Sequence, residues 1–231
     1  MNFKTRSSQK ELLDGDDIPF ADIKRNMEEL DFINKLLGGH GISLKGFKAL
    51  LGHKKQIHVC EIGCGGGDNL LALLKYCKQK NIAVSFTGID IKQSCIDFAA
   101  TRQPLTGNTK WITSNYAKVV FPSKPDIVFS SLFCHHFTKE ELVSQLLWMK
   151  GNSQSGFFIN DLHRHWLAYW SIKLLTGLFS KSYLVKNDAP LSVARGFTKK
   201  DWEQIFSEAG ITDYSLKWKW AFRYLITGKS G

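Results

Sequence analysis

The chain has 231 residues, 43% of them hydrophobic and 13% aromatic, which suits one domain with a sizeable core and excludes a disordered or fibrous polypeptide. Its net charge of +10 is spread along the chain with no basic run, so it reads as a solvated surface rather than a nucleic-acid footprint. No segment approaches the roughly 18 uninterrupted apolar residues of a membrane span. The polar residues 1–10 carry no secretory apolar core. Cys60, Cys64, Cys77, Cys95 and Cys134 lack metal-ligand spacing and are odd in number, so reduced thiols, no metal and a cytoplasmic location are expected.

In chain order, an acidic, turn-prone patch (Asp14, Gly15, Asp16, Asp17) precedes Pro19. Ile23, Met27, Leu30, Ile33, Leu36 and Leu37 then fall at helical spacing, ended by Gly38 and Gly39. Leu44, Phe47, Leu50 and Leu51 suggest a second short helix, so residues 1–55 read as a helical cap. From Gln56 the pattern alternates. Strand-like runs at 57–62, 84–89, 110–113, 126–130 and 156–160 are separated for the most part by helical stretches at 68–80, 93–102 and 139–150. Such alternation predicts right-handed βαβ units, a mainly parallel sheet and helices on both faces. Residues 56–161 would form this core and 198–231 a closing helix and hairpin. Tyr214, Leu216, Trp218 and Trp220 alternate with Ser215, Lys217 and Lys219, and a second strand follows at 222–226.

Residues 162–197 are unusual. Trp166, Leu167, Tyr169, Trp170, Ile172, Leu174, Leu175, Leu178 and Phe179 cover most of a helix rather than one stripe, with Lys173 inside and Lys181 and Lys186 beyond. Two readings fit: a buried core helix, or a lid over an apolar acceptor that makes transient contact with a membrane surface.

The most informative segment is residues 59–68, Val-Cys-Glu-Ile-Gly-Cys-Gly-Gly-Gly-Asp, between a strand and a helix. Gly63 and Gly65 match the first two glycines of a dinucleotide turn, but Asp68 stands where the third belongs. A carboxylate there repels a pyrophosphate and disfavours NAD-linked hydride transfer. Glu61 adds a second negative group. Asp90 ends the next strand, where an acid can accept both hydroxyls of a ribose. Together these want an adenosine-like ligand with a positive pole and no phosphate chain, and S-adenosylmethionine fits.

The segment 61–67 with Asp90 resembles the first motif and ribose-binding acid of class I S-adenosylmethionine-dependent methyltransferases. The resemblance covers residues 20–231. It implies an α/β, Rossmann-like, doubly wound and mostly parallel seven-stranded sheet in a single domain, with S-adenosylhomocysteine as the product. The cofactor-binding set it implies is Glu61, Gly63, Cys64, Gly65, Asp68, Asp90, Ile91, Asn115, Tyr116 and Ser131. Asn115 departs from the acid usual at its position, though an amide oxygen can still accept from an amine. Three stretches, 34–40, 130–137 and 161–164 with the later 190–192, resemble bacterial small-molecule methyltransferases akin to the ubiquinone/menaquinone-biosynthesis enzymes. Relatives of that kind occur with type III polyketide synthases in secondary metabolism, which make phenolic lipids.

Ligands of open α/β sheets gather beyond the carboxyl ends of the strands, here residues 131–137 and 161–165. A phenol, with a pKa of about 10, needs a base near neutral pH. His163 or His136 is expected to supply it, with His135 orienting substrate or shaping the pocket; loop brace or helix cap is the plainer alternative for each. Adjacent in sequence, His135 and His136 should diverge and not share a metal. His40, Arg164, Trp166 and Arg195 are the candidate substrate contacts, against commoner structural roles for the arginines. The expected reaction is methylation of a phenolic or polyketide-type hydroxyl. Carbon methylation of a quinol ring, nucleic-acid or protein methylation, and non-catalytic cofactor binding are the alternatives. No nucleic-acid partner is expected, and the oligomeric state is open.

Overall fold

The computed structural model describes residues 3–15 and 17–230; Asp16 of the acidic patch lies outside the described residues. Helices α1 (Phe20–Leu36) and α2 (Gly39–Leu51) lead into β1 (Gln56–Ile62), α3 (Asp68–Gln79), β2 (Ala83–Asp90), α4 (Gln93–Ala100) and β3 (Thr109–Thr113). After them come β4 (Ile127–Ser131), α5 (Lys139–Gly151), β5 (Gly156–Leu162), α6 (Trp166–Phe179), α7 (Tyr183–Arg195), α8 (Lys199–Glu208), β6 (Tyr214–Lys219) and β7 (Arg223–Lys229). The sheet order is β3-β2-β1-β4-β5-β7-β6. β1 to β5 pair in parallel, and β7 lies antiparallel between β5 and β6. The expected seven-stranded, Rossmann-like sheet with its terminal hairpin is therefore present.

Period-two alternation explains the layers. Cys60 and Ile62 of β1 pack with Val128, Phe157 and Trp202 in one core cluster. Val59 faces the opposite way, into a cluster with Phe47, Leu70, Phe129 and Phe158. Burial on both faces is why the central strands read as almost continuous apolar runs. Capping boxes set two helix starts: Thr138 with Glu141 opens α5, and Thr198 with Asp201 opens α8. All five cysteines are free and buried, and burial pushes each thiol above its ordinary pKa.

Two parts differ from expectation. The start of the chain is a strap rather than part of a helical cap, with one 3-10 turn at Leu12–Asp14. Its Arg6 donates to the carbonyls of Arg195, His135 and Phe137 at 2.8, 3.1 and 3.0 Å, and Asp188 of α7 accepts from the N–H groups of Leu12 and Leu13. These polar anchors have no hydrophobic period for sequence reasoning to detect. The second difference corrects the core-helix reading of α6, which buries only Ala168 and Thr176. Trp170, Leu174 and Leu178 are 52%, 64% and 67% exposed.

Candidate active site

Strand order reverses at β1 and β4, and there a cavity of about 560 Å³ opens beyond their carboxyl ends. Its wall includes Glu61, Gly63, Cys64, Gly65, Asp68, Asp90, Ile91 and Ser131. Gly63, Gly65 and Gly67 have φ of +64°, +48° and +71°, so the turn alternates through left-handed conformations that favour glycine. At Gly63 a Cβ would sit 2.1 Å from the Phe133 ring. Asp90 holds the turn: its carboxylate accepts from the Gly65 and Lys92 N–H groups, each at 2.9 Å. Burial nonetheless raises its pKa. Two N–H donors leave accepting capacity on both oxygens.

Glu61 is 1% exposed, and its Oε2 has no hydrogen-bond partner among the described residues. Burial, then the charges of Asp68 and Asp90, push its carboxyl well above the ordinary value. A buried, unsatisfied carboxyl oxygen is costly unless a ligand supplies a donor. Asp68 is better served, accepting from Asn34 Nδ2 at 3.1 Å and meeting His40 Nε2 at 2.7 Å. Burial alone would raise its pKa; the hydrogen bond and charge of His40 reverse this and lower it.

A charged cluster meets the wall through Glu11, Asp14, His135 and His136 and is anchored behind it by Asp161. Asp161, at the end of β5, is fully buried and accepts from the N–H groups of Phe133, Cys134 and Leu162 and meets His135 Nδ1 at 2.8 Å. His135 Nε2 faces Glu11 of the strap at 3.5 Å. Burial disfavours the His135 cation, but Asp161 and Glu11 outweigh it and raise the pKa to about 9. His136 Nδ1 lies 3.2 Å from Asp14 and its Nε2 3.8 Å from Glu11. The two rings, 4.4 Å apart, both face Glu11. Expected divergence of the pair is thus corrected: from the 3-10 turn Cys134–His136 both rings reach the one carboxylate of Glu11, which the strap brings between them. Glu11, His135 and His136, and separately Asp31, His40 and Asp68, bring potential ligand atoms within 4.8 Å. Guanidinium groups adjoin both sets, Arg195 at Asp14 and Arg102 at Asp31, each supplying positive charge from the protein itself.

Comparison with known proteins bears on this arrangement. A family described as "Methyltransferase domain" matches residues 59–149, the stretch from the strand before the glycine turn to the end of α5. Residues 59–149 are similar to that family, and β5 to β7 of the same sheet lie beyond the match. Similar solved structures include a SAM-dependent methyltransferase from Aquifex aeolicus, 18% identical, with TM-score 0.62 over 90% of this chain and 98% of that one. Human N-acetylserotonin methyltransferase in complex with SAM is 12% identical, with TM-score 0.64 over 92% and 57%. Magnesium protoporphyrin IX methyltransferase from Synechocystis with bound SAH is 16% identical, with TM-score 0.51 over 94% and 90%. No curated protein sequence matches the chain. The structural likenesses carry the fold, and the methyltransferase family match carries the enzyme class.

The other candidates named from the sequence fall outside the cavity wall. Asn115 caps the 3-10 turn after β3, its Oδ1 accepting from the Ala117 N–H, and Tyr116 packs on Phe133, Phe137 and Trp148. His163 turns away: its Nδ1 accepts from Trp218 Nε1 at 3.2 Å, and burial beside His165 and Arg164 lowers its pKa to about 4. Arg164 donates to the Phe3 and Gly196 carbonyls and pairs with Asp201, while Arg195 braces the His135 and His136 carbonyls. Both guanidinium groups are spent on the fold. Trp166 is exposed, and His40 bonds to Asp68 behind the wall.

Glu11 and Arg223 line the cavity and were not singled out from the sequence. Arg223 is buried, with Nη2 on Asn34 Oδ1 at 2.8 Å and Nη1 unpartnered among the described residues; burial lowers its pKa to about 10 despite Asp161 and Asp68. One signal for it was a charge placed directly before the apolar run Tyr224, Leu225 and Ile226 of the final strand.

Proposed function

We propose that the protein methylates the hydroxyl of an apolar phenolic or polyketide-type small molecule with S-adenosylmethionine. The carrying observation is a single cavity whose wall holds Glu61, the glycine turn and Asp90 together with Met27, Ile33, Leu37, Ile172 and His136. The volume suits small-molecule pockets. The residues fit the cofactor: Glu61 has an unsatisfied acceptor for a cationic or N–H group, and Asp90 has spare acceptors for hydroxyls. When bound, the cofactor supplies a methyl group already activated by its positive sulfur.

The protein supplies alignment and a proton acceptor. Asp14 beside Nδ1 fixes the His136 tautomer, leaving Nε2 to take the phenolic proton as its O–H bond breaks. Burial disfavours the Asp14 anion, but its hydrogen bonds with His136 and the Glu11 N–H and the charge of Arg195 hold its pKa well below the ordinary value, so the partner carboxylate stays ionised. Asp161 and Glu11 keep His135 charged, which pins the turn carrying His136.

A mass-shift screen over phenols, resorcinols and quinols tests the reaction, and fragmentation of the product separates an O-methyl from a C-methyl outcome. With an accepted phenol, His136→Gln should lower kcat about 10²–10⁴-fold and leave donor binding intact. His163→Gln should leave both unchanged. Equal turnover in the wild type and His136→Gln would remove the base assignment.

A further inference from the structure

Helix α6 has two apolar faces. Ala168, Ser171, Ile172 and Leu175 line the cavity. Trp166, Trp170, Leu174 and Leu178, each four residues on from the last, form an outward stripe 57%, 52%, 64% and 67% exposed, continued by Phe179 at 77%. Such a contiguous apolar surface is uncommon on a monomer unless it meets something. The end of β6 has exposed Trp218 and the turn after it exposed Trp220, the latter also at the cavity wall.

The charges say what it meets. From residue 162 to 187 there is no acidic residue, while Lys173, Lys181 and Lys186 are all exposed. Lys173 Nζ lies over the Trp170 ring at 5.0 Å, at the edge of the stripe. The acid that reaches this region from α1 is Glu29, whose carboxylate is occupied by the Lys181 and Ser182 N–H groups and the Ser180 hydroxyl. Aromatic and leucine side chains flanked by uncompensated lysines, on a helix too short to cross a bilayer, are the make-up of an interfacial helix.

We propose that the outward face of α6 docks this protein on an anionic lipid bilayer surface, seating the cavity beside the lipid from which an apolar acceptor enters. The acceptor clause rests on the function proposed above; the docking does not.

The test is flotation of the full chain with vesicles of phosphatidylcholine, alone or with about 30% phosphatidylglycerol, near physiological salt. Neither donor nor acceptor is added, so failure to find a methylated product leaves the result readable. Wild type should float with the anionic vesicles. Trp170→Ser/Leu174→Ser/Leu178→Ser should lose about 100-fold or more in partitioning. Each lysine near an anionic surface contributes about fivefold, so Lys173→Gln/Lys181→Gln/Lys186→Gln should lose about 100-fold on anionic vesicles and little on neutral ones. Both variants should retain wild-type affinity for S-adenosylhomocysteine, which shows that they fold. Wild type that stays with the soluble fraction, or a serine variant that floats equally well, overturns the proposal. So does light scattering that finds a dimer dispersed by the serine variant with no vesicle binding, which would assign the face to a second copy of the chain.

Discussion

Stability should fall as pH rises from about 6.5 to 9, because of His135. This ring is 3% exposed and sits between Asp161 and Glu11, which raise its pKa from 6.5 to about 9. A folded-state pKa above the unfolded one gives stability that is complete below pH 6.5 and is lost as pH rises through 9. From 6.5 to about 9, with a slope approaching about 1.4 kcal/mol per pH unit inside the window, this amounts to about 3.5 kcal/mol. The lowered pKa values of Asp161 and Glu11 describe the same contacts and are not added to it. For a chain of this size about 3.5 kcal/mol is roughly 7–14 °C in Tm. His135→Gln removes the titrating group and leaves two buried carboxylates short of a cation, costing about 3–5 kcal/mol at the acid end of the window. Urea unfolding followed by tryptophan fluorescence at several pH values measures both effects. The variant's stability should be nearly flat across the window where the wild type declines. Parallel curves for the two proteins would refute the charged triad.

Below about pH 4 the cluster should weaken for the opposite reason. Burial raises the pKa of Asp161 and Glu11, the two histidines reverse this, and a lowered folded-state pKa gives stability present above the ordinary carboxylate range and lost as pH falls through the folded value. Asp90→Asn should reduce S-adenosylhomocysteine affinity about 10- to 100-fold by calorimetry, the scale of charged hydrogen bonds. Gly63→Ala combines a left-handed φ with a clash against Phe133. It should cost about 2 kcal/mol or more in chemical denaturation.

Strands and their intervening helices were legible because apolar spacing switches between two and 3.6 residues, and the glycine turn with Asp90 because those residue types suit few other places. Side-chain direction at strand ends was not legible. Of residues 131–137 all but Cys134 line the cavity, whereas of 161–165 only Leu162 does. That outcome depends on β7 pairing antiparallel to β5, which puts Trp218 opposite Tyr224 and within reach of His163. The strap was illegible for another reason. Arg6 and Glu11 act across more than a hundred residues of chain, through single polar contacts that leave no local period. Helix α6 misled through composition, since its apolar residues suit either a core or an interface and only the packing of α7 decides.

The shielding of all five cysteines gives the molecule an internal clock. A disulfide reagent attacks thiolates, and these sulfhydryls are both sequestered and held protonated. Colour released from such a reagent would then register only transient openings of the chain. Cys95, in the small cluster that joins α1 to α4, would time the loosening of the N-terminal helices; Cys60 and Cys134, in the main cluster, would time global unfolding.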